Sequence, residues 1–215
     1  MKEHELVEQR WPVILAILSV LFLLVSLPHR LRILPQWVPS TVALLTIVTM
    51  VALMRAQTTV WLRIERVVLT GFFLMYGAAI LIQLTVLMDS MLHHPSDVSG
   101  LQLLASSLAV WGTSIVMFSL VYWRIDRGGP EARVNNRKVR PDWSFPIEES
   151  LAMPPNWSPT YIDYLFFAFT TATSFSPTEA MPLTHRAKLL MMLQGLISLV
   201  TILAVAARAI NILSS

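Results

Sequence analysis

The sequence predicts an all-α membrane protein: five transmembrane helices plus one re-entrant pore helix and a filter-like loop. Three observations lead to that fold class. Hydrophobic residues make up 55% of the 215-residue chain and charged residues 13%, about half of the roughly 25% charge typical of a soluble domain. The apolar residues gather into five runs that approach the ~20 residues needed to cross a ~30 Å hydrocarbon core. A sixth run is only about half that length. This composition, with a mean hydropathy of +0.62, excludes a secreted disulfide scaffold, a disordered chain and an ordinary cytosolic enzyme. The chain has no cysteine, which removes disulfides, thiolate metal sites and cysteine nucleophiles together.

The first run is Trp11–Leu27. No small-residue cleavage site follows it, so it reads as a retained anchor rather than a signal peptide. Val38–Met54 is the second, with Trp37 and Pro39 at its start as interfacial residues, and Val67–Met88 is the third. Between the second and third, Arg55–Arg66 carries Arg55, Arg63 and Arg66 and is a connection for which an interfacial helix is one reading. Leu101–Trp123 is the fourth run. A long basic connection, Arg124–Thr160, follows it and is broken by Gly128-Gly129-Pro130 and Pro154-Pro155. Ala187–Ile212 is the last run. No internal repeat supports an inverted-repeat transporter.

Tyr161–Ala172 (YIDYLFFAFTTA) does not fit as a span. Twelve residues make a helix of roughly 18 Å, about half a bilayer. A half-length apolar helix, a polar loop containing proline and then a full span together form the pattern of a re-entrant pore helix. Irregular backbone at membrane depth survives only where protein or water covers it.

The residues from Thr170 to Thr184 read TTATSFSPTEAMPLT. They resemble the pore loop of tetrameric potassium channels, TTLTTVGYGDITPLT, and align with it without a gap. Thr170, Thr171, Thr173, Pro182, Leu183 and Thr184 match, and Glu179 stands where the family has its closing acid. The chain is also similar to a family of bacterial integral membrane proteins that carry FSPTD or FSPTE before the last helix. The resemblance implies a potassium-channel-like pore domain over 101–215. It divides into an outer helix (101–123), basic loop (124–160), pore helix (161–172), filter-like loop (173–179) and inner helix (187–212), with residues 1–100 as a three-helix membrane region outside it. It further implies a homotetramer around a central axis. Gln194, Gly195 and Ser198 are then pore-lining candidates on the inner helix, with Gly195 at a hinge position.

The departures shape the expected chemistry. In potassium channels the backbone carbonyls of TVGYG replace the hydration shell of the ion, and the glycines permit backbone conformations costly for other residues. Here Ser174, Phe175, Ser176, Pro177 and Thr178 occupy those positions, and Pro177 fixes φ and lacks an N–H. The filter-like set Thr173 to Glu179 would instead offer the hydroxyls of Thr173, Ser174, Ser176 and Thr178, some carbonyls, and a ring of Glu179 that favours cations.

Charge gives an orientation. In a five-span reading, thirteen of the sixteen Lys and Arg residues fall on one face: Lys2, Arg10, Arg55, Arg63, Arg66, the six between Arg124 and Arg140, Arg186 and Lys188. Arg30, Arg32 and Arg208 fall on the other. The positive-inside rule then places the pore loop on the cytoplasmic side and the C-terminus outside, the reverse of potassium channels.

Other residues have more ordinary readings. Asp163 is a helix N-terminal charge. His93 and His94 are adjacent in a loop and share no helix face, so they read as solvated rather than as metal ligands. Gln83, Gln102 and Gln194 bond across helices, and Gln194 also faces the pore if it lines it. No nucleophile elbow, zinc-protease, Walker or dinucleotide motif is present, so the expectation is a protein that is not an enzyme and holds no cofactor and no metal. The pI near 9.6 reflects topology-setting loops rather than nucleic-acid binding. The sequence thus points to passive conduction of monovalent cations, potassium first, across a bacterial inner membrane, with lipids and copies of the chain as its partners. The alternatives are a non-conducting structural or regulatory membrane protein that keeps the pore-loop fold, and a small-molecule transporter.

Overall fold

The computed structural model describes residues 11–25, 35, 37–55, 59–93, 100–135, 139–150, 157–173 and 180–213. The chain is mostly helical, as an all-α fold requires. Its helices are α1 (Trp11–Val25), α2 (Trp37–Arg55), α3 (Thr59–His93), α4 (Gly100–Ile125), α5 (Pro130–Asn135), α6 (Tyr161–Thr173) and α7 (His185–Leu213). Two short strands, β1 (Trp143–Ser144) and β2 (Met181–Pro182), pair antiparallel with Trp143 opposite Pro182.

Among the described residues, three helices are long and apolar enough to cross a membrane: α3, α4 and α7. They mark the chain as a membrane protein. α1 and α2 are apolar but shorter, at 15 and 19 residues, so the five expected spans resolve into three of spanning length and two shorter helices. α3 differs in extent from the third run. Its 35 residues make a helix of about 52 Å, well beyond a ~30 Å core, and it absorbs the residues from Thr59 to Arg66 that the sequence set apart as a connection. Those residues contain neither glycine nor proline, so nothing local stops the helix there.

α4 is the centre of the packing, in contact with α1, α3, α6 and α7, while α2 packs on α1 and α3. Residues three and four apart define the contact faces. α1 buries Val13, Ala16, Ile17 and Val20, and α3 buries Leu69, Phe72, Tyr76, Ile80 and Gln83. From α3 to α2, Tyr76 donates its hydroxyl to the Pro39 carbonyl at 3.0 Å.

The polarity of α7 is inside out. Its inward face holds Gln194, Ser198 and Thr201, each at most 2% exposed. Its outward face is a stripe of Leu189, Met192, Leu196, Leu199 and Leu203, each more than half exposed. Such a helix would be insoluble alone in water, but it suits a membrane, where polar groups bond between helices and apolar ones face lipid or a further helix.

The connection after α4 is more ordered than a basic loop. Within it α5, β1 and a 3-10 turn over Pro146–Glu149 fold back on α4 and α6. Aromatic residues drive this return: Trp143 packs on Tyr122 (4.8 Å between ring centroids) and on Phe167 (5.9 Å). Phe145 meets Tyr164 edge-on at 5.5 Å and Trp157 at 5.9 Å. Large rings buried in this way contribute most of the packing energy of a small cap.

Candidate functional site

α6 begins with a side-chain cap. Thr160 precedes the helix, and the Asp163 carboxylate accepts from both the Thr160 backbone N–H (2.7 Å) and its hydroxyl (2.8 Å). Asp163 is therefore occupied at the helix start, as its ordinary reading requires. From there α6 lies against α4 and α7. Tyr161 shares a 2.7 Å hydrogen bond with Ser119. Farther along, Phe169 meets Trp111 edge-on.

Gln194 joins all three helices. Its Oε1 accepts from the Tyr122 hydroxyl at 2.5 Å and its Nε2 donates to the Ala168 carbonyl at 2.7 Å. Gln194 and the buried Ser198 thus face the interior of the single chain. Gly195 lies at the border of that face, with open space where a Cβ would stand.

Two carboxylates tie the start of α6, the β1 strand and the start of α7 to the end of α4. Asp126, fully buried just past the end of α4, accepts the Tyr164 hydroxyl on Oδ2 at 2.6 Å. Its Oδ1 accepts the backbone N–H groups of Asp142 (2.7 Å) and Trp143 (3.4 Å). Asp142, also fully buried, accepts the Thr184 hydroxyl and the Arg186 Nε–H on Oδ1, both at 2.6 Å, and a second Arg186 N–H on Oδ2. Its carbonyl accepts the Leu183 N–H at 2.8 Å. Each buried charge is thus satisfied by several donors, as a low-dielectric setting demands.

The surroundings complete the cap. The Arg133 guanidinium lies over the rings of Trp123 (5.8 Å) and Tyr164 (5.2 Å) and donates to the Trp123 and Asp126 carbonyls at 2.6 and 3.2 Å. It satisfies carbonyls that the end of α4 would otherwise leave open. Arg127 pairs with Glu148. The chain reverses through Arg127, Gly128 and Gly129 at φ 53°, 79° and 100°, conformations that glycine adopts at little cost.

The chain therefore enters and leaves on one side. α6 starts beside the end of α4, and after Ala180 the β2 strand pairs with β1, while Arg186 reaches the Ile125 carbonyl at 3.4 Å. Between these limbs α6 extends about 20 Å. No family model, curated protein or solved structure matches the chain.

Of the filter-like residues, Ser174, Phe175, Ser176, Pro177, Thr178 and Glu179 lie outside the described residues, as does His94. Thr173 is described, and its hydroxyl turns back to the Phe169 and Thr170 carbonyls at 2.9 and 3.3 Å. Among the described residues no group of three acidic or histidine side chains has the arrangement of a metal site. Sequence reasoning missed Asp126, Asp142, Tyr122 and Tyr164. The available signal was acidic residues set within a basic connection and facing later arginines.

Proposed function

We propose that this is a channel-like membrane protein in which four copies surround an axis and pass monovalent cations, potassium first, by passive flux. The observation that carries the reading is the placement of α6. A half-length helix is wedged between two helices of spanning length, and its start and the chain that follows its loop both meet the end of α4. This supports a re-entrant loop within a five-span topology. The C-terminal end of α6 is directed toward that loop, and the negative end of a helix dipole favours a cation. The exposed stripe at Leu189, Met192, Leu196, Leu199 and Leu203 has the three-and-four spacing of a helix seam, which supports α7 as the element that meets other copies and lines the vestibule. The hydroxyls from Thr173 to Thr178 and the Glu179 carboxylate are the proposed constriction.

The test is thallium or potassium flux into liposomes holding the purified protein. Flux is expected, and Glu179→Ala weakens it. No flux in any monovalent gradient would remove the conduction reading and favour the non-conducting structural alternative.

A further inference from the structure

We propose that Arg63 and Arg66 on α3 and Lys188 on α7 form a basic rim that docks the phosphate groups of anionic phospholipids. The proposal rests on the membrane-spanning length of the helices and not on conduction.

The rim follows from helix direction. Residues 94–99 connect α3 to α4 and can bridge at most about 25 Å, whereas the 35 residues of α3 extend about 52 Å. The two helices pack together, so α4 must run back along α3 and end toward the start of α3. α7 begins at that same end, where Arg186 reaches the Ile125 carbonyl, and α7 also packs on α3. The stretches of spanning length start at Arg63 in α3 and at His185 in α7. Arg63, Arg66 and Lys188 therefore all lie within the first turn of a span, where hydrocarbon gives way to headgroups.

Charge at this end is sorted by depth. Glu65, Asp126 and Asp142 are buried, Glu148 pairs with Arg127, and Asp163 caps α6. Arg127, Arg133 and Arg186 are held by protein groups. Arg63, Arg66 and Lys188 are exposed, and none of them forms an ion pair among the described residues. Their complementary charge is therefore outside the chain.

The neighbours favour lipid over a soluble anion. Ile64 and Val67 on α3 and Leu189 on α7 are exposed beside the basic residues, so a matching ligand offers an apolar part next to a negative one. Long basic side chains lay their stems along apolar surface and carry the charge outward. A phospholipid meets both, its acyl chains on the apolar residues and its phosphate on the basic heads. The arginine fork suits a phosphate in particular.

The test is native mass spectrometry of the full-length protein released from detergent micelles, with phosphatidylglycerol and phosphatidylcholine as probes. Phosphatidylglycerol is expected to bind on the order of tenfold more tightly. Arg63→Gln, Arg66→Gln and Lys188→Gln should each weaken its binding about fivefold and leave phosphatidylcholine unchanged. These side chains are exposed, so the substitutions leave the packed interior intact. Arg63→Lys with Arg66→Lys keeps the charge and should retain most of the preference. Equal affinity for the two lipids in the wild type overturns the proposal, as does a preference that survives the triple Gln substitution. Displacement of phosphatidylglycerol by inorganic phosphate would assign these residues to a soluble anion and overturn the lipid assignment.

Discussion

Tyr122 on α4 and Gln194 on α7 meet in the interior of the protein, hydroxyl to amide oxygen at 2.5 Å, and the amide nitrogen carries the contact on to the Ala168 carbonyl of α6. One side chain thereby fixes the relative depth of three helices. Gln194→Leu keeps the volume but leaves the Tyr122 hydroxyl without this acceptor. Interhelical hydrogen bonds in membranes contribute about 0.6–2 kcal/mol, so a loss of about 1–2 kcal/mol is expected. Tyr122→Phe should lose less, because Gln194 still reaches Ala168. Unfolding in mixed detergent micelles, followed by tryptophan fluorescence, checks both; equal stability to wild type would mean that the bond does not form in the folded protein.

Two glycines should respond in opposite ways to alanine. At Gly129, with φ 100°, an added Cβ would stand 3.0 Å from the Arg124 carbonyl and closer still to its guanidinium. The left-handed backbone and the clash together are expected to cost about 1–3 kcal/mol. At Gly195 nothing lies within 4 Å of an added Cβ, and alanine is a better helix former by about 1 kcal/mol. Gly195→Ala should therefore fold at least as well as wild type. If it also loses cation flux, the loss belongs to hinge motion or pore lining and not to packing. Thermal melts of the two variants, with flux measured on Gly195→Ala, separate these outcomes.

Trp143 anchors the cap over α6. It is fully buried against Tyr122 and Phe167, and truncating an aromatic residue at such a site removes about 3–5 kcal/mol. Trp143→Ala should release β1 from β2 and raise hydrogen exchange at Met181 and Leu183, while α1 and α2, which pack chiefly on α4 and α3, stay protected. Uniform loss of protection across all helices would show instead that the cap and the bundle unfold as one unit.

What could be read from the chain beforehand follows from the range of each interaction. α6 begins at Tyr161 as the sequence expected because Thr160 and Asp163 form a local cap and the polar residues after Thr173 end the apolar run. The role of Gln194 in bonding across helices was also legible, since a lone amide within an apolar run needs a partner. Asp142 and Arg186 were not legible as a pair. They are 44 residues apart, and no periodic pattern links positions at that separation. Arg127, Arg133 and Arg186 were counted only as topology charges, because a basic residue at a span end looks the same whether it faces solvent or a buried carboxylate. α3 ran past its expected start because hydropathy marks where a helix leaves the apolar core, not where its hydrogen bonds stop.

Orientation is the remaining prediction, and the structure sharpens it. Arg127, Arg133 and Arg186 are engaged by Glu148, by the Trp123 and Asp126 carbonyls and by Asp142. Setting those three aside, the five-span reading still places ten of the sixteen basic residues on the face of the α6 loop and three on the other. The contacts of Arg186 with Ile125 and Asp142 put the end of α4, Asp142 and the start of α7 on one side of the protein. Exposed basic residues there, such as Lys188 in the first turn of α7, are of the kind the positive-inside rule weighs most. The loop side should therefore be cytoplasmic and Ser215 external. A phosphatase fused after Ser215 is expected to be active and a fluorescent protein at the same place dark. The opposite pair of results would turn the pore domain round, to the orientation in which potassium channels sit.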